Sequence, residues 1–148
     1  MTEKIPYRLR APASDEEWRT YHAIRREVLF ENRGFFGLYD EAHPDEFAQG
    51  NHPMLLIHED EPIGAIRVDV DGPLAIFRRV AIREDVQRHG HGKVMLSLAE
   101  DFALDKGCSL VRSYVDAGAV GFYKSCGFNY DTSTAADEKH VPMYKKWC

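Results

Sequence analysis

Residues 87–92 read Gln87-Arg88-His89-Gly90-His91-Gly92, between a strand-like run ending at Ile82 and a helix-like run that follows. Two glycines spaced by one residue at such a junction let the backbone come close to a ligand, because glycine has no Cβ to keep it off. The helix that follows offers unpaired N–H groups and the positive end of its dipole. Together these features suit a phosphate or a pyrophosphate. Two phosphate loops fail here on single residues. A Walker A loop needs a glycine where Gln87 stands and a Ser or Thr where Val94 follows Lys93. A dinucleotide fingerprint needs a small residue where Met95 stands, and no matching acidic residue on a following strand is evident.

Working upstream, residues 54–57 (Met-Leu-Leu-Ile) form a short buried-strand run, followed by a turn at 59–62. Residues 63–70 alternate, Asp71-Gly72 marks a hairpin turn, and 74–82 make another strand, so this stretch is an antiparallel meander. Earlier still, residues 3–10 read as a first strand ending at Pro12. Ser14 is an N-cap with Glu17 as its capping-box partner. Trp18, Tyr21, Ile24, Val28 and Leu29 then recur at helical spacing, predicting a helix to about Glu31 before Gly34. Residues 34–51 read as a loop with one short helix near 45–49.

Downstream, Val94, Met95, Leu98, Ala99 and Phe102 share one helical face, and Lys106-Gly107 supplies a helix end. Residues 110–115 read as a strand, 119–125 as a helix ending at Gly127, and 141–147 as a closing strand. The order is βα, a β meander, then βαβαβ: an α+β (mixed α/β) domain over residues 1–148 with no internal repeat or linker.

A third loop pattern fits at every position: Gln or Arg, two residues, Gly, one residue, then Gly or Ala. It is the pyrophosphate loop of acyl-CoA-dependent N-acetyltransferases, met by Gln87, Gly90 and Gly92, with Arg88 adding a cation. Upstream, Arg79-Val80-Ala81-Ile82 resembles the strand that precedes this loop in the Gcn5-related N-acetyltransferase (GNAT) superfamily. Downstream, Ala119-Val120-Gly121-Phe122-Tyr123-Lys124-Ser125-Cys126-Gly127-Phe128 is similar to its A-x-x-F-Y-x-x-x-G-F helix and turn. The resemblance covers roughly residues 74–130. More loosely, 24–31 resembles the first helix of the ElaA/YjcF-like branch, and His140-Val141-Pro142-Met143 its final strand.

The resemblance implies a mostly antiparallel central sheet with a splayed parallel pair, flanked by helices. It implies direct transfer of an acetyl group from acetyl-CoA to a primary amine of a small molecule, peptide or protein, with no metal. The alternative is a non-catalytic acyl-CoA-binding or sensing domain. The pyrophosphate would lie on the backbone of Arg88, His89, Gly90, His91, Gly92 and Lys93, and the pantetheine would pair with the strand carrying Val80 and Ile82. Asp116 stands close to where many members carry a pantetheine-contacting Asn. Tyr123 is the candidate proton donor to the departing thiolate; the other reading is a core aromatic beside Phe122. Where histone-type members carry an acidic base, this chain has Ile76. Asp69, Asp71, Asp116 or a chain of waters must serve, and water is preferred.

Arg67, Arg78 and Arg79 are cross-strand neighbours on the hairpin. They fit either recognition of an acceptor carboxylate or phosphate, or a solvated sheet face paired with Asp69 and Asp71. Phe35, Phe36, Tyr39 and Phe47 fit an acceptor wall or core. His89 and His91 read as solvent-facing loop positions rather than metal ligands, and His43, His52, His58 and His140 as surface residues.

The composition agrees with a globular chain of 148 residues, 44% hydrophobic and 29% charged. A formal net charge of -5 argues against a nucleic-acid or anionic-membrane binder and mildly favours a neutral or cationic partner. The N-terminus has no apolar signal core, and Cys108, Cys126 and Cys148 show no C-x-x-C spacing. A cytoplasmic protein with reduced thiols is expected; the reading leaves room for a homodimer.

Overall fold

The computed structural model describes residues 7–34, 36–133 and 140–147. Its elements run in the order β1 (Tyr7–Arg10), α1 (Asp15–Leu29), β2 (Asn51–His58), β3 (Glu61–Asp71), β4 (Leu74–Ile82), α2 (His91–Asp105), β5 (Leu110–Asp116), α3 (Val120–Ser125), β6 (Asn129–Tyr130) and β7 (His140–Lys146). The seven strands form one sheet in the order β1-β2-β3-β4-β5-β7-β6. Only β4 and β5 pair in parallel; every other neighbouring pair is antiparallel.

The helices cover both faces of this sheet. Tyr21, Ile24 and Leu29 of α1 pack on Leu55, Ile57, Ala65 and Ala81. Met95, Leu96, Ala99 and Ala103 of α2 pack with Met54, Leu56, Ile66 and Val68 on the other side. Alternate residues of β2 therefore go to opposite cores, which is why 54–57 is an unbroken apolar run. Among the described residues no helix is long and apolar enough to cross a membrane.

Several boundaries differ from the sequence reading. The first strand is described only from Tyr7; residues 1–6, Phe35, residues 134–139 and Cys148 lie outside the described residues. Helix α1 stops at Leu29, and a 3-10 turn at Glu31–Arg33 carries the chain to Gly34 at φ 83°. The short helix of the following segment is a 3-10 turn at Pro44–Phe47. The Ser14 cap forms, its Oγ accepting from the Glu17 amide at 3.1 Å. Glu17 does not return the bond to Ser14; it accepts from the Ala13 amide at 2.8 Å and pairs with Arg10. The turn after β2 uses Glu59 and Asp60, both at positive φ, with no glycine to mark it. The two-residue β6 has no counterpart in the sequence pattern.

Candidate active site

β4 and β5 stay in register from Leu74↔Leu110 to Phe77↔Ser113 and then part. Beyond that point β4 remains with β3, through Ala81↔Ala65 and Ile82↔Gly64, while β5 remains with β7 as far as Asp116↔His140. The slot between them opens because β4 carries one residue too many. The register against β3 steps by three residues on β4, from Ala81 to Arg78, and by two on β3, from Ala65 to Arg67. The bulge holds Arg79 at φ 67°. A left-handed arginine costs about 1–2 kcal/mol and persists only where its surroundings hold it. Arg25 of α1 does so, donating from Nη1 to the carbonyl oxygens of Arg78 (2.9 Å) and Arg79 (3.5 Å). The Arg79 guanidinium reaches Asp116 across the slot at 3.3 Å.

Three cavities follow the slot from end to end. The first, of about 590 Å³, is lined by Val80, Ile82, the loop residues Gln87, Arg88, Gly90, His91, Gly92 and Lys93, and by Ala119 and Phe122. A second, of about 110 Å³, shares Val80, Ala119 and Phe122 with it and adds Arg79, Tyr114, Asp116 and Tyr123. A third, of about 330 Å³, shares Arg79 and Tyr114 with the second and adds Phe77, Arg78 and His140. The result is a wide cleft, a narrow junction and a second, smaller cleft.

The glycine loop shapes the first cleft. Gly90 precedes α2 at φ 84° and Arg88 lies at φ 68°. No side chain caps α2, which leaves the N–H groups of its first turn for a ligand. The Gln87 side chain closes the loop by donating to the Ile82 carbonyl at 2.9 Å. A Cβ on Gly90 would meet no protein atom within 4 Å, so that side of the loop is open space; one on Gly92 would meet the Phe122 ring at 3.2 Å. His89 is exposed, as read from sequence. His91 is not a solvent-facing side chain: it is half-buried, its Nδ1 shares a 2.8 Å hydrogen bond with the Tyr7 hydroxyl, and burial lowers its pKa. His58 likewise departs from a surface role, stacking on Tyr7 at 4.2 Å.

At the junction, Tyr123 is 5% exposed and packs edge-on against Phe128. It belongs to the core and also lines the slot. Burial raises its pKa, opposed by Ser113, the Val80 backbone and the Arg79 charge. It is therefore a protonated phenol at neutral pH. Asp116 lines the junction rather than the first cleft, between Arg79 and His140, whose Nε2 lies 3.5 Å away.

Arg67 corrects the solvated-face reading. Arg67 is buried, bidentate on Asp69 at 2.7 and 3.0 Å and 3.3 Å from Glu46, which in turn accepts from the Tyr21 hydroxyl at 2.9 Å. Arg78 donates from Nε to the same Asp69 at 3.1 Å. Asp69 is thus occupied by two guanidiniums, and Asp71 lies exposed at the far hairpin end. Of the aromatic segment, Tyr39 bonds His22 and packs on Phe30, while Phe36 and Phe47 are exposed. Glu46, which locks this segment to the sheet, has no signal in the sequence beyond a charge in an expected short helix. No three His, Cys, Asp or Glu side chains among the described residues gather in a metal-holding group.

The acetyltransferase (GNAT) family model matches residues 11–128. The chain belongs to that family. A Bacillus subtilis (strain 168) protein that carries the name of an acetyltransferase is 27% identical over 144 residues, covering 90% of this chain and 92% of its own. Among solved structures, Escherichia coli ElaA superimposes with a TM-score of 0.79 at 19% identity, over 97% of this chain and 100% of ElaA. The PaiA N-acetyltransferase from Thermoplasma acidophilum, in complex with coenzyme A, gives 0.73 at 19% identity, over 97% and 100%. The family thus accounts for a splayed parallel pair with a glycine loop at its mouth.

Proposed function

We propose that this GNAT protein transfers an acetyl group from acetyl-CoA directly to a primary amine, with the thioester seated at the narrow junction. The observation that carries this reading is the continuity of the three cavities along the β4–β5 splay, with Tyr123 at the constriction. The pyrophosphate lies on the backbone from Arg88 to Lys93 at the start of α2. The pantetheine takes the place that β5 gives up beside Val80 and Ile82, where β4 has no strand partner on that side.

The amine enters from the second cleft as the free base, its proton lost to water, and its nitrogen attacks the thioester carbon. A tetrahedral adduct forms, its nitrogen gives up its extra proton to water, the C–S bond breaks, and the sulfur leaves as a thiolate. The Tyr123 hydroxyl gives it a proton, and solvent restores the phenol once the thiol departs. Asp69, clamped by Arg67 and Arg78, takes no part; Asp116 is the carboxylate that lines the junction.

Calorimetric titration with acetyl-CoA, together with free-thiol release in the presence of amines, tests the reading. Binding with acceptor-dependent thiol release is expected. Binding without release from any amine class would leave an acyl-CoA-binding domain, and no binding would overturn both.

A further inference from the structure

We propose that the acceptor carries a carboxylate close to its amine, and that Arg78 seats it. The inference rests on the transfer reading above and names the acceptor class of the same slot. Arg78, Arg79 and His140 line the second cleft together with Phe77 and Tyr114, and among the described residues no carboxylate lines it. Arg79 and His140 are both engaged with Asp116 at the junction. Arg78 is placed differently. Its Nε is fixed on Asp69 at 3.1 Å, and its guanidinium carbon lies 5.7 Å above the Tyr114 ring centre. Its two terminal nitrogens carry no hydrogen bond to a described residue, and its side chain is 41% exposed. A planar guanidinium fixed at Nε presents the paired N–H geometry that a carboxylate accepts.

The position of this fork is built into the fold. Asp69 is held by Arg67, Arg67 is held by Glu46, and Glu46 by the Tyr21 hydroxyl of α1. The chain of contacts leaves Arg78 little freedom to swing away. Because Asp69 gives its oxygens to two guanidiniums, it neutralises Arg78 only in part. Arg78 also directly precedes Arg79, which lines both the second cleft and the junction. A carboxylate on Arg78 therefore leaves an amine a few bonds away facing the thioester, which is the arrangement of an amino acid. A polyamine would instead place its second cation among like charges. The chain's negative net charge points the other way, but the slot is set by the side chains that line it.

The test uses the purified full chain, acetyl-CoA, a panel of amino acids each paired with its carboxamide, and spermidine. Free-thiol release should favour the acids over their carboxamides and over spermidine. Arg78→Gln should raise KM for the acids about tenfold to a hundredfold, the range of one charge-assisted contact, without changing kcat, the carboxamide rates or the CoA affinity. Arg78→Lys should recover part of the loss. Equal or better use of carboxamides or spermidine by the wild type would overturn the proposal, and so would an acid-to-carboxamide ratio that Arg78→Gln leaves intact. If no acceptor releases thiol, titration of the amino acids into CoA-saturated protein separates the two readings. Binding that Arg78→Gln removes would keep the carboxylate seat and sink the transfer, whereas absence of binding would sink the seat.

Discussion

At the end of the slot proposed for the cofactor, the groups offered to a ligand belong to the backbone: Arg88 and Gly90 in left-handed conformations and the uncapped first turn of α2. At the other end they are side chains gathered from β4, β5 and β7, steadied by a relay of charges that begins on α1. A backbone site is written within a few consecutive residues and tolerates changes to the side chains around it. A side-chain site depends on the register of three strands and on a buried network, so single substitutions can remake it or break it. The same fold can therefore hold its donor constant while its acceptor changes.

The largest effect should come from the network behind the acceptor end. Arg67→Met removes the cation between Glu46 and Asp69 and leaves both carboxylates facing each other, at a cost of about 3–5 kcal/mol. Urea denaturation should show it, and a loss below about 1 kcal/mol would mean that the network does not hold the wall. At the junction, Tyr123→Phe should lower kcat about a hundredfold and leave acetyl-CoA affinity unchanged. Wild-type turnover across the pH range would remove Tyr123 as the acid. At the cofactor end, Gly90→Val should weaken CoA binding about tenfold or more while the protein stays folded. The added side chain meets no protein atom there and enters the open space assigned to the phosphate in the proposed binding mode. Unchanged affinity in a titration would end the backbone account of that cleft.

The smallest effect concerns pH. Burial lowers the pKa of both His22, beneath the aromatic segment, and His91, at the cofactor cleft, from the ordinary 6.5. The unfolded chain then binds protons more readily, so their contribution is complete above about pH 6.5 and declines as the pH falls toward the lowered values. Thermal melts should show a modest loss on acidification, shallower in His22→Gln than in the wild type. An identical slope would place the titration elsewhere.

The same contrast explains what could be read in advance. The glycine loop, the α2 face and the motif around Tyr123 are local patterns, and the sequence shows them directly. The splay is legible only through family resemblance, and the residue that sets its place, Arg79, has no local signal. A left-handed arginine inside an apolar strand looks like any other residue of the strand. Arg67 alternates as a polar residue should on an open face, but the turn at Pro44–Phe47 covers that face, and its Glu46 turns an expected surface charge into a buried one. His91 reads as exposed because β1, which supplies Tyr7, is far away in sequence. In each case the missing information is a contact between distant segments.

One consequence of the tethers on the stretch between α1 and β2 bears on protein engineering. Tyr39, whose hydroxyl meets His22 at 2.7 Å, and Glu46, bonded to both Tyr21 and Arg67, fasten its later part, while Asn32 bonds Glu84 and Phe30 packs on the core nearer α1. Phe36, Leu38 and Phe47 stand largely in solvent. Residues 40–45, exposed between those two fasteners, are in effect a cassette that can be exchanged or lengthened without redesigning the sheet. Library construction would begin there, keeping Tyr39 and Glu46 fixed and varying what lies between them.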